Sequence, residues 1–162
     1  MTTPEYNSCV DAHSDGVYRF ILHNIKDKDD ARDIVQDSFE KLWINKDNVN
    51  YVKVKSYLFT TAYHTMISKI RRDKKMADFG EVDFNNHSHN DQYSDLKVIL
   101  REAINRLPEI QRNVILLRDY EGYDYKEIGE ITNLNESQVK VYIYRGRQAL
   151  KEYLGSVKNL ID

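Results

Sequence analysis

Three observations predict an all-α protein of two small helical domains joined by a flexible linker. Apolar residues recur at three- and four-residue spacing, and Val-Ile-Thr-rich alternating runs bounded by turns are missing. A polar, acidic stretch without helical periodicity then divides the chain. This places one domain at 1–75, the linker at 76–95 and the second domain, built around a helix-turn-helix, at 96–162. Each domain is expected to fold by itself.

From Ala31 to Trp43 the apolar positions Ala31, Ile34, Val35, Phe39, Leu42 and Trp43 form one stripe, with Asp30, Asp33, Gln36, Asp37 and Glu40 mainly on the other side. Residues 54–71 read as a further helix with Leu58, Ala62, Ile67 and Ile70 inward. The stretch MADFGEVDFNNHSHNDQYSD, 76–95, has too little apolar surface to order itself. Helical patterning resumes with Leu96, Ile99, Leu100, Ala103, Ile104 and Leu107. Pro108 suits the first turn of a following helix, and Gly122 suits a left-handed ending to it.

The strongest local pattern lies in residues 124–154. Asp124 with Glu127, and Asn135 with Gln138, read as two capping boxes that open a short and a longer helix. The turn between them, Thr132 to Asn135, completes a helix-turn-helix, and Gly155 is expected to close its second helix. Gly129 fits because a residue without a side chain permits close approach. At 100° per residue Val139, Ile143, Gly146, Leu150 and Leu154 share the inner side of that second helix. Ser137, Gln138, Val141, Tyr144 and Arg145 share the opposite side, flanked by Lys140, Tyr142 and Arg147. Such a face can enter a major groove: Gln138 and Arg145 donate to base edges, Val141 meets a thymine methyl, and the cations suit phosphates.

Composition agrees with a DNA ligand only once charge is mapped. The formal net charge is −2, yet Lys53, Lys55, Lys69, Arg71, Arg72, Lys74 and Lys75 gather in one stretch, and Lys140, Arg145, Arg147 and Lys151 in another. Acid collects in Asp27 to Glu40 and Asp78 to Asp95, so two kinds of partner are expected. A 31% charged content and the lack of an apolar run near about 20 residues argue against a membrane protein. The start, MTTPEYNSCVDAHSD, does not resemble a secretory signal, and the single Cys9 fits a reducing compartment, so a cytoplasmic location is expected.

These residues resemble a known family. Residues 30–43, Asp-Ala-Arg-Asp-Ile-Val-Gln-Asp-Ser-Phe-Glu-Lys-Leu-Trp, are similar to the polymerase-docking part of region 2 of bacterial sigma factors. Residues 55–64, running into Ile-Arg-Arg-Asp-Lys-Lys (70–75), resemble the adjoining part that melts the upstream −10 element. Leu-Pro-Glu-Ile-Gln-Arg (107–112), Tyr-Lys-Glu-Ile-Gly-Glu-Ile (125–131) and Val-Lys-Val-Tyr-Ile-Tyr-Arg-Gly-Arg (139–147) resemble region 4, which reads the −35 element. With only these regions and a short linker, the chain resembles the extracytoplasmic-function group.

The resemblance implies roles. Asp33, Gln36, Asp37 and Glu40 would meet the clamp helices of the largest polymerase subunit, and region 4 the flap of the second largest. The loop Asn45 to Lys53 would hold a base flipped from the non-template strand. Lys53, Lys55, Tyr57, Phe59, Tyr63, His64, Arg71 and Arg72 would contact promoter DNA in region 2, and Ser137, Gln138, Lys140, Val141, Tyr142, Tyr144, Arg145 and Arg147 in region 4. An anti-sigma protein is a further expected partner. His64 stands where many members carry Asn, and Val141 and Tyr142 where many carry Ser and Arg.

Plainer readings stand beside these. Trp43 reads as core, and helical spacing leaves Phe59 and Tyr63 open between core and DNA strand. His87 and His89 without cysteine partners do not make a metal site. No Ser/His/Asp set or Gly-rich phosphate loop stands out, so neither an enzyme nor a cofactor is expected. The rival functions are a free-standing helix-turn-helix regulator with a sensing N-terminal half, and a helical adaptor that binds protein alone.

Overall fold

The computed structural model describes residues 1–77 and 95–161, with side chains for 1–76 and 95–156, and every secondary-structure element among them is helical. The N-terminal half is α1 (Thr3–Ile25), α2 (Lys28–Ile44), a 3-10 turn (Tyr51–Lys53) and α3 (Val54–Ala77). The C-terminal half is α4 (Asp95–Arg106), α5 (Glu109–Ile115) running into a π-helical turn (Leu116–Tyr120), α6 (Tyr125–Thr132) and α7 (Glu136–Ile161). Most of the expected linker lies outside the described residues, although positions 76, 77 and 95 are already helical.

Helix α1 was not anticipated from the sequence, though its signal is there. Thr2 accepts from Glu5 N at 3.2 Å, Glu5 returns the bond to Thr2 N at 3.4 Å, and Pro4 occupies the first turn. Cys9, Val17, Phe20 and Ile21 form its buried face. Lys26 ends it in the left-handed region with φ 65°. On α2, Ala31, Ile34, Phe39 and Leu42 are buried as expected and Val35 is half-buried. Trp43 is a correction: it is 41% exposed, edge-on to Tyr6 at 4.9 Å with Lys46 Nζ 3.6 Å from its ring centre. It sits where the helix leaves the core, and Leu42 fills the inward position instead.

On α3 the inward register is Leu58, Phe59, Ala62, Tyr63 and Met66, and Ile67 and Ile70 are only half-buried. Gly122 ends the α5 segment with φ +76°, as expected. Gly155 does not end α7, which continues to Ile161. A glycine in a helix costs only about 1 kcal/mol, which neighbouring turns can carry.

The two halves do not stand apart. One apolar core runs through both, joining Val17, Phe20, Leu58 and Phe59 to Tyr123, Ile128 and Ile131. Phe59 lies edge-on between Phe20 at 5.7 Å and Tyr123 at 5.6 Å. The expectation of independent halves therefore meets an interface made largely by α3 against α6 and the turn before it.

Candidate nucleic-acid interface

The helix-turn-helix is built by local chemistry. Asp124 accepts from Glu127 N at 2.8 Å, and Glu127 takes Asp124 N at 3.3 Å, so α6 opens on a capping box. Asn133 closes it at φ 60°. A Cβ on Gly129 would lie 2.6 Å from the Leu134 carbonyl oxygen, so the glycine admits the backbone of the turn itself. Asn135 then opens α7: it accepts from Gln138 N at 2.8 Å, and its own N–H donates to Gln138 Oε1 at 2.9 Å. Val139 and Ile143 are buried, and Gly146 sits so close to Ile115 that no side chain fits without displacing it.

This packing turns the predicted reading face outward. Ser137, Gln138, Lys140, Val141, Tyr144 and Arg145 are exposed, and Asn135, Ser137, Gln138, Val141, Tyr142 and Arg145 line one shallow concavity. Tyr142 is half-buried. Arg147 is exposed but grips Asp119, with N–O distances of 2.6 and 3.3 Å. Lys140 lies 4.0 Å from Glu136, an exposed pair that water screens well.

The candidates on α3 are placed less uniformly. Lys53, His64, Arg71 and Arg72 are exposed. Tyr57 is half-buried, and its hydroxyl accepts from Asn45 Nδ2 at 3.1 Å. The expected strand contacts Phe59 and Tyr63 are instead core in this arrangement, 0% and 7% exposed. Lys55 donates to the Glu121 carbonyl oxygen at 3.1 Å and lies 4.9 Å from the Tyr123 ring centre, so the C-terminal half holds it.

The loop expected to hold a flipped base borders a recess. It is lined by Asn45, Asn48, Val49, Asn50 and Lys53 from the loop side and by Ser56, Tyr57 and Thr60 from α3. Ser56 and Thr60 were missed in the sequence. The signal was available, since positions 53, 56, 57 and 60 follow one helical face. The expected polymerase contacts Asp33, Gln36, Asp37 and Glu40 are all exposed on α2 by the same spacing.

Electrostatics at the joint between halves are unusual for a surface. The Glu121 carboxylate is only 8% exposed and lies 3.5 Å from Arg19. Burial raises its pKa, while Arg19 and Lys55 pull it down. Arg112 donates to Asn24 Oδ1 at 3.0 Å, and His23 Nδ1 lies 3.3 Å from Asn105 Oδ1. Burial holds His23 below its ordinary pKa; the Asn105 contact opposes this, and Arg101, Arg112 and Arg19 add to it.

Among the described residues no group of three His, Cys, Asp or Glu is placed to hold a metal, and no helix is long and apolar enough to cross a membrane. His87 and His89 lie outside the described residues. Cys9 is buried, and burial raises its pKa, as befits an inert thiol.

Comparison with known proteins agrees with this architecture. Residues 9–76 match sigma-70 region 2, and residues 97–150 match sigma-70 region 4. The chain is 32% identical over 147 residues to the RNA polymerase sigma factor SigV of Bacillus subtilis, covering 89% of this chain and 87% of that protein. It is 31% identical over 140 residues to the ECF RNA polymerase sigma factor SigM of the same organism, covering 83% and 86%. In fold it is similar to the sigma factor RpoE from Bartonella quintana, solved with the anti-sigma factor NepR: TM-score 0.80, 24% identity, covering 94% of this chain and 98% of that one. The chain belongs to the extracytoplasmic-function group of the sigma-70 family, and it is a sigma factor that directs RNA polymerase to promoters.

Proposed function

We propose that this initiation factor, which leaves all chemistry to the polymerase, divides promoter reading by the state of the DNA. Helix α7 reads the duplex −35 element through Ser137, Gln138, Val141, Tyr144 and Arg145, with Lys140 on phosphate. The recess between the 45–53 loop and α3 takes the non-template base, with Tyr57 beside it and Lys53, His64, Arg71 and Arg72 along the strand. The α2 face of Asp33, Gln36, Asp37 and Glu40 docks on the clamp helices, and the C-terminal half meets the flap. The work is done in the cytoplasm, where the polymerase is.

The observation that carries this reading is the pairing of an exposed α7 face with a separate recess on α3. Arg147 has a smaller part, because Asp119 already neutralises it. Lys55, Phe59 and Tyr63 can act on DNA only after the halves part, since the C-terminal half holds Lys55 and the core buries both rings. An anti-sigma protein that stabilises the closed arrangement would then silence the factor. RpoE and CnrH, the second solved with the cytosolic domain of CnrY, share the fold at TM-scores of 0.80 and 0.68.

Run-off transcription with core polymerase tests the division on duplex and on pre-melted promoters. Tyr57→Ala should fail on duplex and recover on the pre-melted template, while Arg145→Ala should lose −35 selectivity on both, by about 1–3 kcal/mol for a two-point guanine contact. No recovery of Tyr57→Ala on the pre-melted template, with selectivity intact in Arg145→Ala, would reject the division.

A further inference from the structure

The start of α7 restricts what Gln138 can say to a base. In major-groove recognition a glutamine reads adenine by two bonds, its carbonyl accepting from N6 and its amide nitrogen donating to N7. Here the Gln138 carbonyl already has a task. Asn135 N–H lies 2.9 Å from the side-chain amide, and a backbone N–H can only donate, so the atom that faces it is Oε1. The reciprocal bond from Gln138 N to Asn135 Oδ1 at 2.8 Å fixes the box from the other side. Oε1 is thereby turned back to the helix start, and Nε2 is the end left for the groove.

We infer that Gln138 is a specificity-determining residue that reads its base pair as a donor only, selecting guanine or thymine. This deepens the assignment of α7 as the duplex-reading helix and rests on it. Guanine offers N7 and O6 to the two amide hydrogens, and thymine offers O4. Val141, one turn along on the same face and 44% exposed, is placed to cover a thymine methyl. Cytosine presents only a donor, so it repels. Adenine pairs a donor with its acceptor, and an Oε1 aimed at Asn135 N–H, one of the first-turn groups that the helix itself cannot satisfy, could offer that donor only its second lone pair, turned away from the plane a two-point adenine contact needs.

The test is selection of randomised duplex −35 elements by the holoenzyme, core polymerase with the full chain, carrying Gln138→Glu, Gln138→Ala or Arg145→Ala, with a melting curve for each variant. Glutamate keeps an oxygen for Asn135 N–H but has no donor for the groove. Gln138→Glu should therefore melt like the wild type and invert preference at one base pair, disfavouring the original pair by about tenfold and turning to cytosine or adenine on the contacted strand. Gln138→Ala should erase the preference there without replacing it. If Gln138→Glu keeps the wild-type preference at every position, or melts far below the wild type, the donor-only reading is wrong. Should Arg145→Ala change the selected sequence while neither Gln138 variant does, this inference fails alone; unchanged selection in all three rejects α7 as the reading helix.

Discussion

The two surfaces assigned to DNA are made in opposite ways. On α7 the reading face follows from its own stretch of sequence: a capping box sets the first turn, Val139 and Ile143 turn inward, and the opposite side is left to solvent. On α3 the aromatic and basic residues fit a DNA surface equally well on paper, yet Phe59 and Tyr63 are core and Lys55 bonds to the Glu121 backbone. Periodicity states which residues turn the same way. It does not state what comes to lie against them. An apolar ring on a helix gains most by burial, and here the C-terminal half supplies Tyr123 to bury Phe59.

The largest test of this contrast is Phe59→Ala. Truncating a fully buried ring should cost about 3–5 kcal/mol, whereas Tyr57→Ala, on the half-buried recess side, should cost far less. Thermal melts of the two variants check it. A Phe59→Ala protein as stable as the wild type would put that ring on the DNA side after all.

The α7 side is sharpened by Gly129→Ala. A Cβ 2.6 Å from the Leu134 carbonyl oxygen meets backbone, which cannot swing away as a side chain can. The expected cost is about 1–3 kcal/mol, with weaker duplex binding because the turn that sets α7 must shift. Melting temperature and duplex affinity should fall together, while binding to core polymerase stays. Unchanged duplex binding would mean that the turn geometry does not set the reading face.

The smallest effect is on the covered side and concerns pH. His23 sits at the joint with its pKa held below 6.5, first by burial, so the closed form favours the neutral ring. Stability from this group is present above pH 6.5 and is lost as pH falls toward the depressed folded value. Glu121 acts with the opposite sign: its folded pKa is raised from 4.5, so its protonation favours closure as pH falls. The difference between wild type and His23→Gln isolates the histidine. Melting curves from about pH 5 to pH 8 should show the wild type losing stability relative to His23→Gln on the acid side. Parallel curves would remove His23 from the joint's energetics.

What the sequence determined by itself is what local forces decide. The helical class, the acidic stripe of α2, the turn at Gly122, both capping boxes of the helix-turn-helix and the outward face of α7 all depend on residues within about one or two helical turns of each other. Helix α1 belongs here too, since Thr2, Pro4 and Glu5 announce it. The tertiary structure alone decided the rest. Trp43 left the core, Tyr123 covered Phe59, and Lys55 met Glu121 across the halves. Those outcomes depend on partners far away in the chain, such as Lys55 and Glu121 at a separation of 66 residues. No local spacing encodes which of two apolar faces a distant segment will cover; the burial that the whole chain can achieve decides it.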